Sequence, residues 1–295
     1  MLRPMVCTWI GLVSNAGLAV GKIIVGLLAG STALVADGNH SLADVLSDVG
    51  ILLSLKAASR PPDENHPYGH HSFETLGAIV VAVFMLATAG VILAKAAVAI
   101  AWGRLPEPEL PALIASLVSV VIKEIMARYT LWVGQRHHSP ALLANGAMHR
   151  SDAISSLVAA LGIGGAMAGW LLLDSVGAIV IAVLIGRMGW GLLRENVMVL
   201  MDTMPEPELL ESIRSAGAGV ACVQEIRDLR VRRRGRFYLA DLRIAVHPDH
   251  AIGAAHDIAH DVEDRIRTAV PNMARVFVHV EPGGRDGHGP CAGPG

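Results

Sequence analysis

The sequence predicts a membrane all-α fold, a six-helix transmembrane bundle, followed by a small α+β domain. Composition is the first reason. Of 295 residues, 53% are hydrophobic and 17% are charged, where a soluble globular chain carries about 25% charged residues. Mean hydropathy is +0.49. The second reason is recurrence: six stretches of about 20 mostly apolar residues, each long enough to span a bilayer, precede residue 203. The third is the sharp turn to charged, strand-and-helix patterning after Met201. The chain therefore divides into a spanning region, 1–203, a soluble domain, 204–283, and a Gly/Pro-rich tail, 284–295, expected to be disordered. A net charge of −2 is too balanced for a nucleic-acid partner. The apolar content is mostly Ala, Val, Leu, Ile and Gly, and such small residues let membrane helices approach closely.

The first stretch, 6–29, lacks a small-residue cleavage site after a short core and reads as a retained helix. Its Asn15 and Lys22 should face the protein interior or an aqueous cavity. Gly30 and Ser31 turn the chain into a second helix ending near Ser59. A polar loop, RPPDENHPYGHHSFE, follows, punctuated by Pro61, Pro62, Pro67 and Gly69. The third span covers 76–102. The fourth, 112–133, holds Lys123 and Glu124, expected to form a mutual pair or line a cavity. The fifth, 141–171, carries Asn145, His149, Arg150 and Asp152 near its start, and Asp174 marks the turn into the sixth, 176–193. Arg3, Lys56, Arg60, Arg136 and Arg194 fall at alternate ends, with Arg104 in an opposite loop. The positive-inside rule then puts both termini in the cytoplasm. In the soluble domain, a helix over 206–216, strands over 223–231 and 237–246 joined by an RRRGR turn, a helix over 254–270 and a strand over 275–280 give the order α-β-β-α-β of a two-layer domain.

The polar residues inside the apolar stretches carry the chemistry. His40, Asp44 and Asp48 stand four residues apart, so they form one stripe on a helix of 3.6 residues per turn. A charge at the centre of a membrane helix costs about 2.5–3.5 kcal/mol on insertion scales, and a bound cation is one way to offset it. His149 and Asp152, three apart, form a second such group. Imidazole with carboxylate suits zinc and other first-row divalent ions. Thirteen histidines and three scattered cysteines offer no Cys-based zinc motif.

The motifs LVADGNHSLADVLSD, DENHPYGHH and ANGAMHRSDAISS, in that order, resemble the cation diffusion facilitators. The resemblance runs from the first helix to VHVEP. It implies a homodimeric, proton-coupled exporter of divalent metal with a cytoplasmic metallochaperone-like domain, embedded in a bacterial inner membrane or a specialised intracellular one. The metal is the transported substrate, zinc or iron first, with manganese, cobalt, nickel and cadmium also compatible; no cofactor is implied. By resemblance, His40, Asp44 and Asp152 are transport-site ligands, and Asp63, His66 and His70 form a second site in the loop. His256, His279 and Glu281 are the corresponding candidates in the soluble domain, where His247 is a further one and His250 and His260 should be solvated.

Three positions depart from the family pattern. Met148 stands where a transport ligand is expected, four residues before Asp152. Either His149 turns in to ligate, or three strong ligands are joined by a thioether, or His149 faces elsewhere. Ser72 replaces the lysine of a charge interlock whose acidic partner, Asp202, is present. Arg243 replaces a strand histidine of the soluble-domain site. These departures keep a second reading open: a transport-impaired, metal-sensing membrane scaffold concerned with iron, since RSDAISS is also similar to magnetosome members of the family. A metal-dependent hydrolase is disfavoured, because no HExxH motif is present.

Overall fold

The computed structural model describes residues 2–58, 60, 63–103, 105, 107–136, 140–235 and 237–284. Ser59, Arg104, the loop residues 137–139, Arg236 and the tail from 285 lie outside the described residues, as do the side chains of Arg3 and Asp48. The chain divides into two units, Met1–Leu53 with Gly77–Arg194 and Ser54–Leu76 with Glu195–Gly295.

The first unit is built on six long helices: α1 (Leu2–Leu28), α2 (Thr32–Ala58), α3 (Ser72–Ala101), α4 (Leu110–Arg136), α5 (Pro140–Met167) and α6 (Leu172–Leu200). Among the described residues, α1, α3, α4 and α6 are long and apolar enough to cross a membrane. The other two helices, α2 and α5, match them in length at 27 and 28 residues. The core holds Ala33, Leu34 and Ala36 of α2 against Ala159 and Ile163 of α5 and Ile181 and Ile185 of α6. Large apolar side chains such as Leu27, Val80 and Leu161 are left about two-thirds uncovered, at 68%, 69% and 67%. That pattern suits a surface solvated by lipid tails rather than water.

Two local devices place α2. Gly30 adopts φ +66°, a left-handed conformation that ends α1 at little steric cost. Ser31 then caps α2, its Oγ accepting from Leu34 N–H at 3.1 Å. The Asp174 carboxylate of α6 accepts from Ser31 Oγ at 2.6 Å and from Thr32 N–H at 2.7 Å, so a negative group sits at the positive end of α2. Further along, Gly38 lets α1 lie against α2. A Cβ on Gly38 would stand 2.7 Å from Ile23 Cγ1 and 2.9 Å from Ile23 N.

In the second unit, α7 (Pro207–Ala218), β1 (Glu225–Arg234), β2 (Phe237–Val246), α8 (Ile252–Ala269) and β3 (Met273–Pro282) follow the expected order. The sheet runs β1-β2-β3, with β1 and β2 antiparallel and β2 and β3 parallel. Ile258, Val262 and Ile266 of α8 pack with Val276, Val278 and Val280 of β3. The arginine run expected in the hairpin turn is mostly strand: Arg232, Arg233 and Arg234 end β1, and the turn falls at Gly235, φ +55°. The segment before α3 joins this unit. Its Tyr68 ring lies 5.6 Å from the Arg234 guanidinium and 5.8 Å from that of Arg275, and the His71 ring lies 4.5 Å from that of Phe237.

Candidate metal centre

α2 and α5 bring three ligand side chains together. One atom each of His40, Asp44 and Asp152 lies within 4.8 Å of the others, and all three residues are buried. His40 Nε2 stands 3.7 Å from Asp152 Oδ1. His40 Nδ1 has no hydrogen-bond partner. Two carboxylates and an imidazole enclosed among membrane helices form a donor set that a divalent transition metal would satisfy.

The cations around this group pair differently from expectation. Lys123 and Glu124 do not pair with each other, because consecutive residues point about 100° apart on a helix. Lys123, fully buried, donates to Asp152 Oδ2 at 2.7 Å. Glu124 accepts from Arg128 at 2.8 Å and lies 3.6 Å from Arg150. Asn15 and Lys22 are buried, in the interior as expected. Lys22 reaches Asp37 at 2.8 Å, Ser156 at 2.9 Å and Ser41 at 3.2 Å, and Asp37 also accepts from Ser155 at 2.9 Å. Asp37 and Asp174 have structural roles that sequence spacing did not reveal; an acid in an apolar stretch was the available signal.

The structure separates Met148 from His149. Met148 is 52% exposed and His149 is 5% exposed. His149 Nδ1 lies 3.9 Å from Asp152 Oδ2, and its ring fills space left by Gly11, where a Cβ would stand 3.4 Å from Nε2. α5 is continuous through this point, so no local unwinding is needed to bring His149 inward. His149→Ala should weaken metal binding by about 10–100-fold, the usual cost of losing a ligand's close partner. Met148→His should leave it unchanged, because the new imidazole points away. Isothermal titration of zinc into both purified variants checks this.

The loop group is also assembled. Asp63 Oδ1 lies 2.9 Å from His66 Nδ1, and Oδ2 lies 3.3 Å from His70 Nε2. Backbone N–H groups of Asn65 and His66 donate to the same Oδ1 at 3.0 and 2.6 Å. The hydrogen bond from the His66 side chain is the chief reason the Asp63 carboxyl titrates below its ordinary range. These are the two groups among the described residues in which three such side chains converge.

Residues 8–201 match the cation efflux transmembrane domain, and residues 205–283 match the cation efflux protein cytoplasmic domain. The chain belongs to the cation efflux, or cation diffusion facilitator, family. Among curated members, the manganese efflux system protein MneP of Bacillus subtilis is 33% identical over 92% of this chain and 94% of its own. The magnetosome protein MamB of Magnetospirillum gryphiswaldense is 32% identical over 93% and 92%. A solved variant of the MamM CTD aligns with 26% of this chain and 96% of its own, at 25% identity and a TM-score of 0.26. As a cation diffusion facilitator the chain is a membrane cation transporter and not an enzyme.

Within this family member, His279 Nε2 lies 4.0 Å from Glu281 Oε1, but among the described residues His256, His279 and Glu281 do not form one three-residue cluster. His279 and Glu281 alternate onto the face of β3 opposite the valines that meet α8, whereas His256 lies on α8 itself. His279 lines a cavity of about 420 Å³ with Arg230 and Arg243. His256 lines another, of about 350 Å³, with His247, His250 and Glu281. Glu281 is already held by Arg227 at 2.9 Å and lies 3.5 Å from Arg243. The Arg227 hydrogen bond in particular keeps its carboxyl below the ordinary range. His256 Nε2 meets His260 Nε2 at 3.1 Å. His250, expected in solvent, has its Nε2 enclosed without a partner. The acid of the interlock is engaged as well: Asp202 accepts from Arg232 at 3.1 Å, and Ser72 lines the same small cavity as Asp202, Arg233 and Arg234.

Proposed function

We propose that this chain works as a homodimeric antiporter that exports a divalent transition metal, zinc or iron first, in exchange for protons. The observation that carries the reading is the convergence of His40, Asp44 and Asp152 inside the helical unit. A metal held there needs ionised carboxylates and neutral imidazole, so metal and protons compete for the same atoms. Alternate opening of the site to the two membrane faces converts that competition into exchange. His149, beside Asp152, is the fourth group available to the ion. The basic residues at alternate helix ends support cytoplasmic termini in a bacterial inner or specialised intracellular membrane. Asp63, His66 and His70 form a second, loop site. In the soluble domain, His256, His279 and Glu281 remain the candidate sensing groups, the first and last through the cavity they share.

Two observations favour a second reading, a metal-sensing scaffold with little flux: Arg227 and Arg243 occupy Glu281, and the similarity to MamB, a magnetosome protein, suits a role in iron handling. Reconstituted vesicles with an imposed proton gradient and a pH-sensitive dye distinguish the two. Antiport predicts proton movement on adding zinc, iron(II) or manganese, with an order of preference among them. A scaffold binds metal and moves no protons.

A further inference from the structure

Two buried lysines serve the helical unit, and they are not equivalent. The three N–H donors of Lys22 meet three acceptors, on Asp37, Ser41 and Ser156, and Asp37 is further held by Ser155. That pair is closed, and it holds α1, α2 and α5 together. Lys123, on α4, is as deeply buried, yet among the described residues its ammonium donates one hydrogen bond, to Asp152 Oδ2. The other oxygen of Asp152 is the one that faces His40. One carboxylate therefore serves two cations, a lysine on one oxygen and the cation site on the other.

We propose that Lys123 is a tethered counter-cation of the metal site, and the proposal rests on reading His40, Asp44 and Asp152 as that site. With the site empty, the ammonium balances Asp152, which would otherwise be a buried, uncompensated charge. With a divalent ion bound, the same ammonium is a like charge close by in a low-dielectric setting, where Coulomb terms are large. Asp44 and Asp152 bring a charge of −2 to the ion, and Lys123 reduces it to −1. Lys123 thus lowers affinity and lets the ion leave, and it ties Asp152 to monodentate binding through Oδ1. It acts as a positioning and affinity-setting residue, not as a ligand.

The test uses the full-length protein at one fixed pH, with cobalt(II) as binding probe and zinc flux in vesicles as the kinetic readout. Binding is counted as the part lost in Asp44→Asn, which removes background from the loop and soluble-domain groups. Lys123→Met should raise that affinity by roughly 10–100-fold and lower both KM and kcat for zinc flux. Lys123→Gln, which keeps a donor without the charge, should do the same and stands in if the Met variant fails to fold. Lys123→Arg should keep the wild-type affinity. Lys123→Met added to Asp152→Asn should change nothing further, since the effect runs through Asp152. Unchanged or weaker cobalt binding in both Lys123→Met and Lys123→Gln, with Asp44→Asn still defective, overturns the proposal and leaves Lys123 a helix tie. Full binding in Asp44→Asn overturns the site reading itself, and the proposal with it.

Discussion

Asp44→Asn and Asp152→Asn are each expected to abolish metal-driven proton movement while the protein still inserts and purifies. Asparagine keeps the shape of aspartate, and at position 152 its oxygen can still accept a hydrogen bond from Lys123, so packing is preserved. What it removes is the anionic oxygen that a divalent ion needs. Losing the close partner of a metal ligand already costs about 10–100-fold in affinity or activity, and losing the ligand should cost more. Vesicle assays with zinc, alongside circular dichroism of the purified variants, make the comparison. Normal exchange in both variants would remove the site from the helical unit.

Gly38→Val should have the largest effect on stability. The position admits no Cβ without moving the Ile23 backbone, 2.9 Å away, and a displaced backbone is harder to accommodate than a turned side chain. Separating α1 from α2 also pulls Lys22 from Asp37 and Ser41. Breaking a buried ion pair by removing one partner costs about 3–5 kcal/mol. Gly38→Val should therefore yield little monodisperse protein. Gly90→Ala is the control, because a Cβ there meets nothing within 4 Å, and it should melt with the wild type. Thermal unfolding followed by size-exclusion chromatography reads both, and equal melting of the two variants would show that the α1–α2 approach is not needed.

What could be read from the sequence followed from periodicity. Six helices and an α-β-β-α-β order emerge because apolar spacing is local information. His40, Asp44, His149 and Asp152 stand out because polar groups in greasy helices are costly and therefore few. The choice between Met148 and His149 was beyond spacing alone, since one residue step turns the side chain about 100° and both lie within reach of the Asp152 face. The partners of Lys22, Lys123 and Asp174 depend on which helices become neighbours, across separations of up to 143 residues. In the soluble domain, a resemblance offers His256 and the His279/Glu281 pair as candidates, and the strand alternation of β3 turns His279 away from α8.

The claim that His40, Asp44 and Asp152 hold the transported ion is tested most directly by anomalous scattering from crystals of the full chain soaked with zinc. The account predicts a peak between α2 and α5, with ligand distances of about 2.0–2.2 Å to His40 Nε2 and to one oxygen each of Asp44 and Asp152. Zinc peaks confined to the Asp63 loop and the soluble domain, with none between the two helices, would contradict it.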